Sequence, residues 1–203
     1  GASHPGDIKE LVEIAEPNYG LITNVGRAHL EGFGSFEGVQ RTKQELYDYL
    51  LAHNGTIFRN ADNPFLAQMQ NQATQLLHHS TQLLHHSIQL YTTGTMPSGT
   101  HLVGEYNAEN VSAAICVGEY FGISREQALD AIRQYIPTNN RSQKMQTANN
   151  HLIVDAYNAN PSSMEVALKN LDTVVADRKV AMLGDMLELG EDSLVLHKEV
   201  VDR

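Results

Sequence analysis

The sequence predicts an α/β protein built on a mostly parallel sheet, on three observations. Short apolar runs alternate with longer stretches whose apolar residues recur at helical spacing. Acidic and amide residues stand directly after the apolar runs, as at Asp155-Ala-Tyr-Asn-Ala-Asn-Pro-Ser-Ser-Met164, which is how such folds present polar groups to a ligand. Two runs, Leu152 to Val154 and Val180 to Leu183, flank a helical pattern from Ser163, the order that a parallel βαβ unit requires.

The elements follow in order. Gly6 to Ala15 carries Ile8, Leu11, Val12 and Ile14 at helical spacing and feeds a buried strand at Tyr19-Gly-Leu-Ile-Thr23. After the glycine-rich Gly32 to Gly38, a helix through Lys43, Leu46, Tyr47 and Leu50 precedes a strand at Thr56-Ile-Phe58. Asn60-Ala-Asp-Asn-Pro64 closes that strand, and Pro64 suits the first turn of the next helix. Thr74-Gln-Leu-Leu-His-His-Ser80 is then copied without change as Thr81 to Ser87. Seven residues rotate a helix face by only about 20°, so the leucines of both copies can share one stripe and the duplication reads as a longer helix. Its histidines invite a metal reading, but neighbours diverge by roughly 100° around a helix, and a solvated face is the reading kept. Asn107 to Phe121 and Arg125 to Tyr135 give two further helices, parted by Gly122-Ile-Ser124 with Ser124 as N-cap. Pro137-Thr-Asn-Asn140 breaks the pattern, which places a domain boundary near Pro137 and divides the chain into 1–137 and 138–203.

Composition narrows the function. The 203 residues are 41% hydrophobic, enough for a packed core. A net charge of -10 argues against gripping nucleic acid or anionic membrane by charge, and implies that an anionic substrate arrives with a cation. The single cysteine, Cys116, has no internal disulfide partner and lies in an apolar segment, which fits core packing in a reducing compartment. No charged-then-apolar leader opens the chain and no apolar run approaches the roughly 18 residues of a span, so a soluble, cytoplasmic protein is expected, and a monomer.

Several residues could do chemistry, each with a plainer alternative. His29 follows a strand end, where a histidine is a ligand, a catalyst or a structural hydrogen-bonder. Lys43 on an amphipathic helix reads as a solvated charge unless a partner is found. Asn107 and Asn110 open a helix, where amides cap it or bind a planar ligand edge. Arg141 clamps phosphate or carboxylate, or makes a surface salt bridge. Asp185 and Glu188 follow a second predicted strand and either hold a cation or amine or cap a helix. No phosphate loop, dinucleotide fingerprint, Cys-x-x-Cys or nucleophile elbow is present.

Taken together, Asn24-Val-Gly-Arg-Ala-His-Leu-Glu-Gly-Phe-Gly-Ser35, Thr42 to Glu45, Asn60 to Pro64, Asn107 to Asn110, Asn139 to Gln143, Asp155 to Met164 and Leu183 to Gly190 resemble, in order, the motifs of Mur ligases. The last two resemble the branch that joins D-alanyl-D-alanine to UDP-N-acetylmuramoyl-tripeptide. The resemblance implies a P-loop-type central ATPase domain, represented by 1–137, followed by the start of a Rossmann-like C-terminal domain, 138–203. It implies ATP and Mg2+ as cofactors and an acyl phosphate that the amine attacks. His29 would bind magnesium, with Lys43 as a carbamate beside it, and Arg141 would act with them in catalysis. Asn107, Asn110, Asn60 and Asp62 would meet the adenine side of the nucleotide, and Asp155 its ribose and phosphates with Arg141. Asn158, Asn160, Ser163, Asp185 and Glu188 would line the amine-substrate side. The family's phosphate loop and a metal-binding glutamate have no match in the sequence, and Thr92 to Thr100 replaces a longer stretch, so the chain by itself is expected not to ligate. The alternatives are a non-catalytic nucleotide-binding remnant of the fold, or a sister Mur or folylpolyglutamate-type ligase.

Overall fold

The computed structural model describes residues 2–26, 29–78, 87–104 and 106–203. Its first part runs α1 (Asp7–Ala15), β1 (Tyr19–Leu21), α2 (Leu30–Phe33), α3 (Phe36–Ala52), β2 (Thr56–Asn60), α4 (Pro64–His78), β3 (Ser87–Tyr91), α5 (Asn107–Tyr120) and α6 (Arg125–Gln134). The three strands form one parallel sheet in the order β1-β2-β3, with Gly20 opposite Ile57 and Ile57 opposite Ile88. Residues 79–86, the last two of the first heptad copy and all but Ser87 of the second, lie outside the described residues, and so does the reading of the duplication as a longer helix with a histidine face.

The central strand β2 is apolar because it is covered on both sides. Ile57 points into a core with Tyr47, Leu50 and Leu51 of α3 and Leu66, Met69 and Ala73 of α4. Phe58, the next residue and therefore on the opposite face, meets Tyr120 of α5 edge-on at 5.2 Å. Leu50 reaches between two glycines: a Cβ on Gly20 would stand 2.4 Å from one of its methyls and a Cβ on Gly55 2.6 Å from the other. Helix starts follow their local chemistry. Pro64 opens α4, with Asn63 Oδ1 accepting from the amides of Phe65 and Leu66. Ser124 caps α6 in a reciprocal box with Gln127.

The second part comprises β4 (Gln143–Gln146), β5 (His151–Val154), α7 (Pro161–Thr173) and α8 (Ser193–Val201). The expected parallel βαβ unit does not form here. Val180 to Leu183 belongs to no strand, and Met182 is 90% exposed. Instead β5 pairs antiparallel with β4 through a tight turn in which Thr147 N donates to Asn150 O at 2.9 Å. A hairpin closes a short loop at low entropic cost, and Gln143-Lys-Met-Gln carries no apolar signal that announces it. A small core of Met186, Leu189 and Leu196 also receives Leu30 of α2, so it joins the two parts. Among the described residues, no helix is long and apolar enough to cross a membrane.

Candidate functional site

The chain leaves β1 through a loop that faces the second part. Lys43 on α3 donates its Nζ to the carbonyl of Asn24 at 2.8 Å, and burial lowers its pKa from the ordinary lysine value. His29 heads α2 in the left-handed conformation (φ 54°) and its carbonyl accepts from Phe33 N at 3.0 Å. Its Nδ1 hydrogen-bonds the carboxylate of Glu188, which is also left-handed (φ 59°). A backbone bond from Glu31 N to Glu188 O, at 3.4 Å, lies beside that pair. Nearby, a Cβ on Gly26 would stand 3.7 Å from Ser162 Oγ, at the start of α7.

A second junction lies where the two parts connect. Asn140 and Ser142 both have positive φ, 56° and 47°, and between them they present Arg141, whose guanidinium carbon sits 3.8 Å from the Tyr157 ring centroid. Asn140 O accepts from Ala156 N at 2.8 Å, which ties the Arg141 turn to the residue after Asp155. Ser142, 3% exposed, donates to Asp155 Oδ2 at 3.1 Å and is itself hydrogen-bonded to the Tyr106 hydroxyl. Arg141 and Asp155 are therefore brought together, and Tyr106 and Ser142 are functional candidates that sequence reasoning missed. The signal for them is their place, Ser142 within Asn139 to Gln143 and Tyr106 directly before Asn107 to Asn110, but the resemblance gives neither side chain a role.

Asn107 follows Tyr106 at the start of α5. Its Nδ2 donates to Val103 O at 2.7 Å, and Asn110 Nδ2 donates to Asn107 Oδ1 at 3.3 Å, so neither amide caps the helix. Asn60 differs from the expectation that it reaches a nucleotide. It is 1% exposed, its Oδ1 accepts from Asp62 N at 2.9 Å and its Nδ2 donates to Thr93 Oγ1 at 3.0 Å, so both ends of its amide are engaged by the protein. Asp62 remains exposed, with Oδ2 accepting from Thr93 N at 2.7 Å. A nearby hollow of 590 Å³, lined by Gly94, Met96, Ser112 and Leu129 among others, contains none of the expected site residues.

On the amine side the polar residues are held by the fold. Asn158 Oδ1 accepts from Ala159 N at 2.9 Å. Asn160 and Ser163 form the reciprocal capping box of α7, Asn160 Oδ1 accepting from Ser163 N at 2.9 Å and Ser163 Oγ from Asn160 N at 3.0 Å. Asp185 Oδ1 lies 2.6 Å from Nε2 of His197, whose Nδ1 donates to Ser193 O at 2.8 Å. His197 was also missed, because a histidine on a terminal helix gives no sign of the loop it meets. No group of three or more His, Cys, Asp or Glu side chains among the described residues is arranged to hold a metal. His29 and Glu188 make only a pair, and a carboxylated Lys43 would add an oxygen donor of the kind magnesium prefers.

A family model described as "Mur ligase middle domain" matches residues 1–118, and one described as "Mur ligase, glutamate ligase domain" matches 140–203. The chain belongs to the Mur ligase family. Curated relatives named UDP-N-acetylmuramoyl-tripeptide--D-alanyl-D-alanine ligase include those of Bacillus subtilis, 32% identical over 98% of this chain and 46% of the relative, and Haemophilus influenzae, 34% identical over 98% and 46%. A crystal structure of MurF from Acinetobacter baumannii superposes with a TM-score of 0.82 at 27% identity, covering 98% of this chain and 47% of that one. MurF from Thermotoga maritima, solved in complex with ADP, gives 0.80 at 22% identity over 99% and 49% and shares the Mur ligase fold. The chain thus spans about half the length of the relatives that it matches.

Proposed function

We propose that this chain is the part of a UDP-N-acetylmuramoyl-tripeptide–D-alanyl-D-alanine ligase that binds nucleotide and presents the incoming amine. The observation that supports the reading is a pair of contacts between the two parts: His29 with the Glu188 carboxylate, near Lys43 on the Asn24 carbonyl, and Tyr106 with Ser142, which holds Asp155 beside the Arg141 turn. The names of its relatives supply the substrates. A domain boundary near Pro137 fits the gap between the two matched spans.

In this reading the tripeptide carboxylate attacks the γ-phosphorus of ATP, ADP leaves, and the amine of D-alanyl-D-alanine attacks the acyl carbon of the resulting acyl phosphate. The tetrahedral intermediate collapses with loss of phosphate, and the amine proton goes to solvent or a base. Arg141, its planar guanidinium held over Tyr157, meets the phosphates, where a fork of donors matches oxygen geometry. Asp155 keeps one carboxylate oxygen, Oδ2, on Ser142 and offers the other to a ribose hydroxyl. Asn107, Asn110 and Asp62 border the adenine, and Asn60 serves by holding the Asp62 turn. Burial favours the neutral amine of Lys43, the form that adds carbon dioxide and loses a proton to give a carbamate. Magnesium, when bound by His29 and that carbamate, would offset the charge of the transferring phosphoryl group. Asp185 and Glu188 face the cationic end of the amine substrate, and Asn158, Asn160 and Ser163 shape the turn behind them. A cytoplasmic, monomeric enzyme completes the reading.

The test is phosphate release by the whole ligase of which this chain is a part, with ATP, Mg2+, UDP-N-acetylmuramoyl-tripeptide and D-alanyl-D-alanine each omitted in turn, alongside titration calorimetry of Mg·ADP on the chain and its Asp155→Asn variant. Release that needs both substrates, and binding weakened by Asp155→Asn, is the expected result. Equal release with single amino acids in place of the dipeptide would move the assignment to a sister ligase.

A further inference from the structure

Three hydroxyl and carboxylate groups form a directional chain across the linker. Ser142 has one hydroxyl proton, and it is directed to Asp155 Oδ2 at 3.1 Å, so the Tyr106 hydroxyl must donate to Ser142. The chain therefore runs Tyr106 O–H to Ser142 O–H to the Asp155 carboxylate. Its geometry is tightly built. Ser142 is 3% exposed yet sits at φ 47°, a conformation that a buried serine adopts only when its surroundings impose it. Gly104, at φ 88°, lets the Tyr106 ring fold back, since a Cβ there would stand 2.3 Å from the ring. Burial is the main reason that the Tyr106 pKa is raised, with the charge of Asp155 adding to it.

A buried hydroxyl that pins an exposed carboxylate stabilises the fold little, because water would satisfy that carboxylate as well. What it fixes is direction. Tyr106 immediately precedes Asn107 at the head of α5, within the reach of the middle-domain part, whereas Ser142 and Asp155 belong to the span matched by the second family model. We infer that Tyr106 and Ser142 are positioning residues that hold Asp155 in register with the α5 amides, so that the adenine and ribose ends of one nucleotide are set by a single strap across the linker. This rests on the reading of Asp155 as a nucleotide ligand.

Two measurements test it separately. In the nucleotide-free chain, the isotope-labelled ring signal of Tyr106, assigned by its loss in Tyr106→Phe, should shift in Ser142→Ala and in Asp155→Asn; a signal unmoved by both overturns the strap. In calorimetry with Mg·ADP, Tyr106→Phe and Ser142→Ala should each weaken binding by roughly three- to tenfold, the worth of one hydrogen bond, and neither should weaken it further in an Asp155→Asn background. Losses that add in the double variants, or wild-type affinity in Tyr106→Phe and Ser142→Ala beside weakened Asp155→Asn, overturn the positioning role. Tyr106→Phe keeps the ring and its packing, so the strap stays testable if Ser142→Ala folds poorly. If Asp155→Asn binds Mg·ADP as well as the wild type, the nucleotide reading of Asp155 fails, and the ring signal still decides whether the strap exists.

Discussion

Replacing Asn60 with alanine separates a residue that touches ligand from one that builds the turn beside it. The side chain is 1% exposed and makes two hydrogen bonds, one from Asp62 N at 2.9 Å and one to Thr93 Oγ1 at 3.0 Å. A hydrogen bond contributes about 0.5–1.5 kcal/mol net, and the partners here are exposed enough to regain some water, so Asn60→Ala should cost about 2 kcal/mol. For a chain of this size each kcal/mol moves the melting midpoint by about 2–4 °C, which gives a drop of about 4–8 °C. Differential scanning calorimetry at fixed pH measures it. Thr93→Val removes only the second bond and should cost about half as much. The two substitutions together should cost little more than Asn60→Ala alone, since they share that bond. An Asn60→Ala midpoint within about 1 °C of the wild type, together with a large loss of Mg·ADP affinity, would refute the turn-holding account and return Asn60 to direct contact with the nucleotide.

Three further outcomes can be checked together. Tyr47 is fully buried and its hydroxyl has no hydrogen-bond partner among the described residues, so Tyr47→Phe should stabilise the chain by about 1 kcal/mol in urea unfolding; destabilisation would reveal a partner. Asn160→Ala removes the N-cap of α7 and should cost about 1 kcal/mol, with faster amide exchange at Ser163; unchanged exchange there would mean that the cap is dispensable. Burial lowers the folded pKa of Lys43 below its ordinary 10.5, so the unfolded chain binds its proton more tightly. Stability relative to Lys43→Met should therefore rise as pH climbs through the folded pKa and level off above 10.5, and a difference independent of pH would show that burial does not perturb this lysine.

The parts of the fold legible in sequence were those decided within one segment. Pro64 at the start of α4 and Ser124 as the N-cap of α6 announced themselves because a helix terminus is solved by its own neighbouring residues. Strands are different, since a strand exists only by virtue of its partner. Val180 to Leu183 has the composition of a strand and pairs with nothing among the described residues, whereas polar Gln143 to Gln146 pairs because His151 to Val154 lies one tight turn away. Composition reports how well a segment would suit a pleated surface and leaves open which segment supplies that surface.

The site shows the same division between chemistry and geometry. The identities of His29, Lys43, Arg141 and Asp155 could be carried over from motif resemblance, but their placement depends on backbone conformations that no side-chain pattern reveals. His29, Asn140, Ser142 and Glu188 are all left-handed without being glycine. Each such residue costs on the order of 1–3 kcal/mol unless its surroundings compensate. Three of them make contacts between the parts of the chain, His29 with Glu188 and Ser142 with Tyr106, and Asn140 beside Ser142 accepts from Ala156, whereas Glu16 and Asn54, also left-handed, end helices elsewhere. At His29, Ser142 and Glu188 the contacts impose the conformations, because an isolated loop would relax. The candidate site is therefore a property of the two parts together, and a sequence read segment by segment shows its residues without showing how they meet.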